Sequence, residues 1–376
     1  MNDSPARSSR VSPARLATLF AAAALAGAMQ AGCGGGGGSG ASPAPSSPPA
    51  PSPAPAPTPS GPLAANQLTG AIDFIHDPAV LREGSTYYVY STDASASQGG
   101  FIPIRCTSDR IAVSDCGHVF KTLPSWIAGA VPQATGVWAP DVSYFNGVYH
   151  LYYAVSSFGS NVSAIGLATN TTLDPAAAGY AWVDQGQVLA SASGNDYNAI
   201  DPSIAVDGVS GRVWLSYGSF WDGIFQQEID PATGLLAAGA AATHLAQRAA
   251  SVANDPIEGA NLVQHNGYWY LFTSWDYCCQ ATATASDYKI VVGRGSRPDG
   301  PFVDQAGVAL TAGGGSILLQ GNASYGAPGG ASVLVDSDTS RGDVIVFHAL
   351  DLARNGVPVL FMKPLTWTND WPVIGN

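Results

Sequence analysis

Five times along this chain a turn enters a short apolar strand, crosses a tight turn and continues into a second strand crowded with aromatic and β-branched residues. The pairs read HDPAVL with TYYVYST, APDVSYF with VYHLYYAV, DPSIAV with RVWLSYGS, EGANLV with YWYLFTS, and GASVLV with DVIVFHAL. Asp77, Asp141, Asp201 and Glu258 open the first four pairs, 64, 60 and 57 residues apart. An all-β unit that recurs about every 60 residues is the mark of a β-propeller, so the sequence predicts an all-β fold of five blades. Blades are arranged radially, and equivalent positions at the start of each inner strand converge on one central mouth. Carboxylates far apart in sequence are therefore expected to meet there.

The N-terminal residues stand outside this pattern. Arg7, Arg10 and Arg15 precede an apolar run from Leu16 to Met29, which at 14 residues is short for a bilayer-spanning helix of about 20. Ala31-Gly32-Cys33 follows and resembles the lipobox of bacterial lipoproteins, in which the Cys is acylated and becomes the mature N-terminus; Gln30 stands where a large aliphatic residue is usual. Residues 34–62 are Gly, Ser, Ala and Pro apart from Thr58, a composition that makes a tether and not a core. The expected organisation is an export signal over 1–33, a disordered linker over 34–62 and a propeller domain over 63–376. Such a chain would leave a bacterial cell as an envelope lipoprotein or a secreted protein, act as a monomer, and touch a membrane only through an acylated Cys33.

The formal net charge is −12, and removing the leader with its three Arg and Asp3 leaves −14. So acidic a domain is not built to hold nucleic acid or another polyanion; a neutral substrate suits it. An exported protein permits disulfides, and closure between Cys106 and Cys116 is expected, while the adjacent Cys278 and Cys279 could form a vicinal disulfide or remain thiols.

Asp77 sits in Phe-Ile-His-Asp-Pro, and Asp201 in Asn-Ala-Ile-Asp-Pro. Asp and Pro both favour turns, yet several carboxylates packed at one mouth repel one another and shift their pKa values, which a fold would keep only for a use. Glu258 reaches one carbon further than Asp, and Gly259 after it permits close approach of a ligand or another strand. Two acids of different reach flanking a pocket can hydrolyse a glycosidic bond, one activating water and the other protonating the leaving oxygen.

Taken in order, HDPAV, WAPDV, NAIDPS, YGSFWDGI, IEGAN and SWDYCC resemble glycoside hydrolase family 43, and within it the endo-α-1,5-L-arabinanases, over about 300 residues. The resemblance implies a five-bladed propeller that hydrolyses arabinan by single displacement with inversion. It implies Asp77 as general base, Glu258 as general acid, and Asp201 as the third acid, orienting Glu258 and raising its pKa. Trp138, Phe158, Phe220 and Trp221 are candidate platforms for sugar rings, with Asn198 and His76 as further pocket contacts. The same resemblance implies a calcium ion near the axis, held by His348 and waters, although calcium prefers oxygen ligands. Asp141 is expected to be structural. The competing readings are another family 43 activity, such as an exo-arabinanase, arabinofuranosidase or β-xylosidase, and a non-catalytic carbohydrate-binding propeller, which would lack one of the three acids.

Overall fold

The computed structural model describes residues 63–92, 99–280, 282–338 and 340–375. The expected leader and linker, Cys33 included, lie outside them. Five sheets follow one another along the chain, each formed by consecutive strands. The inner strands of blades 1 to 5 are His76–Glu83, Trp138–Phe145, Ser203–Val206, Ile257–His265 and Tyr325–Leu334. They touch one another in a closed ring, blade 5 returning to blade 1. Antiparallel to them run the second strands, Thr86–Thr92, Val148–Val155, Val213–Tyr217, Tyr268–Trp275 and Val344–Asp351. The five-bladed, all-β expectation holds.

The aromatic second strands follow from this geometry. Successive side chains on a strand point to opposite faces, and a blade inside the ring is covered on both. In blade 2, Tyr149, Leu151, Tyr153 and Val155 pack against blade 1, while Tyr152 packs with Ile204, Leu215 and Tyr217 of blade 3. In blade 4, Trp269 and Leu271 join a core shared with blade 3, while Tyr270 and Phe272 join one shared with blade 5. Each fully buried apolar side chain of this kind contributes about 1.5–3 kcal/mol. The runs are apolar at nearly every position because neither face meets water.

Blades 5 and 1 share no strand, so the ring closes through side chains and one backbone segment. Ile75, Val80, Tyr87 and Val89 pack on Val344, Val346, Leu360 and Met362. Arg82 forks onto the buried Asp336 carboxylate, and the chain ahead of blade 1 bonds to blade 5 through Phe74 N–H to Pro358 O and Leu360 N–H to Ile72 O.

One device recurs in the inner strands and sets the site. Pairing with the second strand slips between His76 and Ala79, Trp138 and Asp141, Glu258 and Asn261, and around Gly329. At these bulges Asp77, Ala139, Gly259 and Gly330 take left-handed φ values of 46°, 34°, 61° and 58°, and Asp201, at 54°, occupies the same place just before Ser203–Val206. The structural equivalence is therefore Asp77, Ala139, Asp201, Gly259 and Gly330. This corrects the register read from sequence: Asp141 falls two positions later, and Glu258 one position earlier, level with His76 and Trp138. A bulge adds a residue and redirects the next side chain, which a count of spacings does not register.

The layer that contains Asp141 is structural. Asp141 Oδ2, Ser203 Oγ, Asn261 Oδ1 and Ser332 Oγ each accept an inner-strand amide from a neighbouring blade, from Ile204 (2.9 Å), Leu262 (3.4 Å), Val333 (3.0 Å) and Val80 (3.3 Å). Burial pushes the Asp141 carboxyl up to about 7, against the Ile204 hydrogen bond.

Candidate active site

The left-handed bulges bring Asp77 and Asp201 to the mouth of the ring, and Glu258 arrives beside them from blade 4. Asp77 Oδ2 accepts from Thr92 Oγ1 (2.7 Å), whose oxygen accepts the Ala139 N–H of blade 2 (2.8 Å). The Asp77 N–H donates to His348 Nδ1 of blade 5 (3.2 Å). This approach needs Gly330: at φ 58°, a Cβ there would lie 2.7 Å from Asp77 Oδ1 and 3.1 Å from His348 Nδ1. Asp201 Oδ2 accepts the N–H of Gly259 (3.0 Å), so it grips the backbone immediately after Glu258. Glu258 itself is held at both oxygens, Oε2 by Ser219 Oγ (2.6 Å) and Oε1 by Tyr288 OH (2.8 Å).

These carboxyls are surrounded by protein while keeping a face toward solvent, and the protons of Glu258 and Asp201 respond to that. Burial, then the charge of Asp77, raises the Glu258 pKa against the hydrogen bonds from Ser219 and Tyr288. Asp201 is pushed well above the usual carboxylate range by burial first, then by the charges of Glu258 and Asp77. Burial leads in both, and because the coupling between two carboxyls is reciprocal, Asp201 and Glu258 oppose each other's ionisation. A hydroxyl both donates and accepts, so Ser219 and Tyr288 can hold Glu258 with its proton or without it. Burial also pushes the Tyr288 phenol well up, which keeps it proton-bearing.

The aromatic candidates lie on blades 2 and 3. Trp138, level with Glu258 in its strand, is half-buried and packs against Phe158 at 5.4 Å between ring centres; Phe158 is 82% exposed. Phe220 and Trp221 both have left-handed backbones, at φ 53° and 48°, in the segment that carries Ser219. Phe220 donates its N–H to Ile257 O beside Glu258 and packs on Tyr277 at 5.7 Å, and Trp221 is exposed. Two adjacent non-glycine residues in this conformation cost of order 1–3 kcal/mol each, a strain that commonly marks a functional segment. Asn198 is buried, and its Oδ1 has no partner among the described residues.

His348 is fully buried, and burial depresses its pKa well below the ordinary histidine value. Because Nδ1 accepts the Asp77 amide, the neutral ring carries its hydrogen on Nε2, which faces Cys278 Sγ at 3.7 Å. Neither nitrogen offers a free lone pair, and calcium takes six to eight oxygen ligands. These donors do not fit a calcium ion held directly by His348, so no step below passes through one. His76 lies edge-on to His348, 4.7 Å between ring centres, and burial lowers its pKa against the charge of Asp77. The expected Cys106–Cys116 disulfide is formed, and of the two states left open for Cys278 and Cys279 the structure has the vicinal disulfide. Below the mouth, Asp77, Asp141, Asp201, Gly259, Gly330 and Ser332 line a narrow axial cavity of about 30 Å³, space on the scale of a water molecule.

Three acids on three blades, with Asp201 and Glu258 raised by burial and by neighbouring charge, are equipment for acid–base hydrolysis. The sequence model of glycosyl hydrolases family 43 matches residues 71–372. The chain belongs to glycoside hydrolase family 43. It is 38% identical, over 80% of its length and 87% of the relative's, to the extracellular endo-α-(1→5)-L-arabinanase 1 of Bacillus subtilis (strain 168). It is 36% identical, over 80% of its length and 86% of the relative's, to the extracellular exo-α-(1→5)-L-arabinofuranosidase ArbA of Cellvibrio japonicus (strain Ueda107). Among solved structures, the family 43 endo-arabinanase of Bacillus licheniformis superposes with a TM-score of 0.73 at 38% identity, covering 82% of this chain and all of that one.

Sequence reasoning does not single out Thr92, Ser219 and Tyr288 of this family 43 chain. Ser219 stands inside YGSFWDGI, where the motif could have drawn attention to it. Thr92 ends TYYVYST and pairs with His76, so the register of the first hairpin could have pointed to it, whereas Tyr288 carries no local signal.

Asp201→Asn separates the two demands on this cluster. Asn keeps an oxygen for the Gly259 N–H and removes a carboxyl whose folded-state pKa lies above its unfolded value of about 3.9. Wild-type stability therefore declines as pH rises from that value through the raised one, whereas the Asn variant suffers no such loss. The variant is expected to melt higher than wild type at pH 7, with the gap closing toward pH 4, by calorimetry at both values. A lower melting temperature at pH 7 would contradict this.

Proposed function

We propose that this chain is an exported endo-acting hydrolase of α-1,5-L-arabinofuranosidic links in arabinan, working by a single inverting displacement. The observation that carries the reading is the convergence of Asp77, Asp201 and Glu258, each held by its own hydrogen bonds, on one mouth beside exposed aromatic rings. Asp77 takes a proton from the attacking water as its oxygen bonds to the anomeric carbon. Glu258, its pKa raised by burial and by Asp77, gives its proton to the leaving oxygen as the glycosidic bond breaks. Asp201, through the Gly259 amide, fixes the direction of Glu258.

Trp138 with Phe158, and Phe220 with Trp221, supply ring faces for successive sugars. Asn198 Oδ1 supplies a buried acceptor for a sugar hydroxyl, since an unmade hydrogen bond there costs about 1–3 kcal/mol. Export is supported by the Arg-led apolar leader and by relatives described as extracellular; acylation of Cys33 is part of the same proposal.

The test is the product profile on linear α-1,5-arabinan, resolved by chromatography at low conversion. Mixed arabino-oligosaccharides are the expected result. Products of a single size from the first minutes would replace the endo reading with the exo one. Binding without hydrolysis would leave a carbohydrate-binding propeller.

A further inference from the structure

The Cys278–Cys279 disulfide lies in the loop beyond Tyr268–Trp275, against the groups that hold both acids. Cys278 Sγ is 3.7 Å from Nε2 of His348, the ring that accepts the Asp77 amide. Cys279 Sγ is 3.9 Å from Nδ1 of His76, the residue beside Asp77. Cys278 also packs on the cluster of Tyr288, Ala327 and Leu350, and Tyr288 donates to Glu258. One covalent unit therefore backs the two imidazoles at Asp77 and the phenol at Glu258.

We propose that the Cys278–Cys279 disulfide is a positioning element for hydrolysis, and that a small dithiol lowers turnover by opening it. The proposal rests on the assignment of Asp77 and Glu258 as base and acid. Bonded to each other, two adjacent sulfurs cannot rotate independently, so the surface they present to His348, His76 and Tyr288 is fixed. Opened, each becomes a thiol with its own rotamers, and the support behind the acids slackens. Cys279 is exposed, so the reductant can reach it. The dithiol gives two electrons and two protons, becoming a cyclic disulfide as the Cys278–Cys279 bond breaks and two thiols form. Misplacement of reacting groups by about 1 Å can cost on the order of 10²-fold in rate; partial slackening is expected to cost about tenfold in kcat with little change in KM.

Turnover on arabinan is measured before and after dithiothreitol, with the two thiols counted by alkylation and mass spectrometry. Histidine ring resonances are followed by NMR in parallel. Activity of the untreated enzyme reports on the proposed function alone, and the reductant's effect on the disulfide. The expected result has four parts: kcat falls about tenfold, recovers on reoxidation, falls equally in Cys106→Ser/Cys116→Ser, and is already low and insensitive to reductant in Cys278→Ser/Cys279→Ser. The His76 and His348 signals move on reduction of the wild type while near-ultraviolet circular dichroism is kept. Unchanged kcat with both thiols alkylated, unmoved histidine signals, or a loss confined to enzyme that has its Cys106–Cys116 bridge would each overturn the proposal.

Discussion

Glu258→Gln is expected to lose arabinan hydrolysis by roughly 10²–10⁴-fold, the range a positioned general acid contributes. The fold should survive, because the amide oxygen of Gln can accept from Ser219 or Tyr288 as the carboxyl does. What Gln cannot do is deliver a proton to the departing sugar oxygen. That loss depends on the leaving group: a 4-nitrophenolate departs without protonation, an arabinan hydroxyl does not. The variant should therefore recover much of its relative rate on 4-nitrophenyl α-L-arabinofuranoside. Steady-state kinetics on the two substrates check this, and an equal deficit on both would remove Glu258 from the role of acid.

Asp77→Asn makes the complementary case. Water must be activated whichever group departs, so the expected loss, again about 10²–10⁴-fold, is similar on arabinan and on the aryl glycoside. Asn keeps an oxygen for Thr92 and the backbone N–H for His348. The substitution also removes the charge that assists burial in raising Glu258, so the Glu258 pKa should fall in the variant. Carbon-13 NMR of labelled Glu258 would follow the titration, and a midpoint that rises or stays fixed would show that the two carboxyls do not sense each other.

Much of this architecture is legible in the sequence because a propeller repeats its own construction. A strand buried on both faces must be apolar at consecutive positions, and VYHLYYAV and YWYLFTS display that in their residues alone. The convergence of Asp77, Asp201 and Glu258 follows from radial symmetry. The register does not, since the bulges at Asp77, Ala139 and Gly259 change the residue count locally and leave only Pro, Gly or a lone Asp as a trace. Asp141 shares the spacing of the mouth acids for that reason, although it stands one layer down as an amide acceptor. Tyr288 is hidden for another: it is 30 residues beyond Glu258, ahead of the third strand of blade 4, and only the pairing of that strand through Tyr268–Trp275 brings its hydroxyl to the acid. Burial, the leading cause of the raised Glu258 pKa, is not legible at all, because it is a property of the surroundings and a motif states only the residue.

The measurement that tests the central claim most directly is the anomeric configuration of the first product. Linear α-1,5-arabinan is hydrolysed in an NMR tube with enough enzyme to outrun mutarotation, and the reducing-end anomeric proton is recorded from the first seconds. If Asp77 directs water to the face opposite the oxygen that Glu258 protonates, the β-anomer appears first and the α-anomer grows in by mutarotation. The α-anomer appearing first would mean retention through a covalent intermediate, and the assignment of Asp77 as a base acting on water would be wrong.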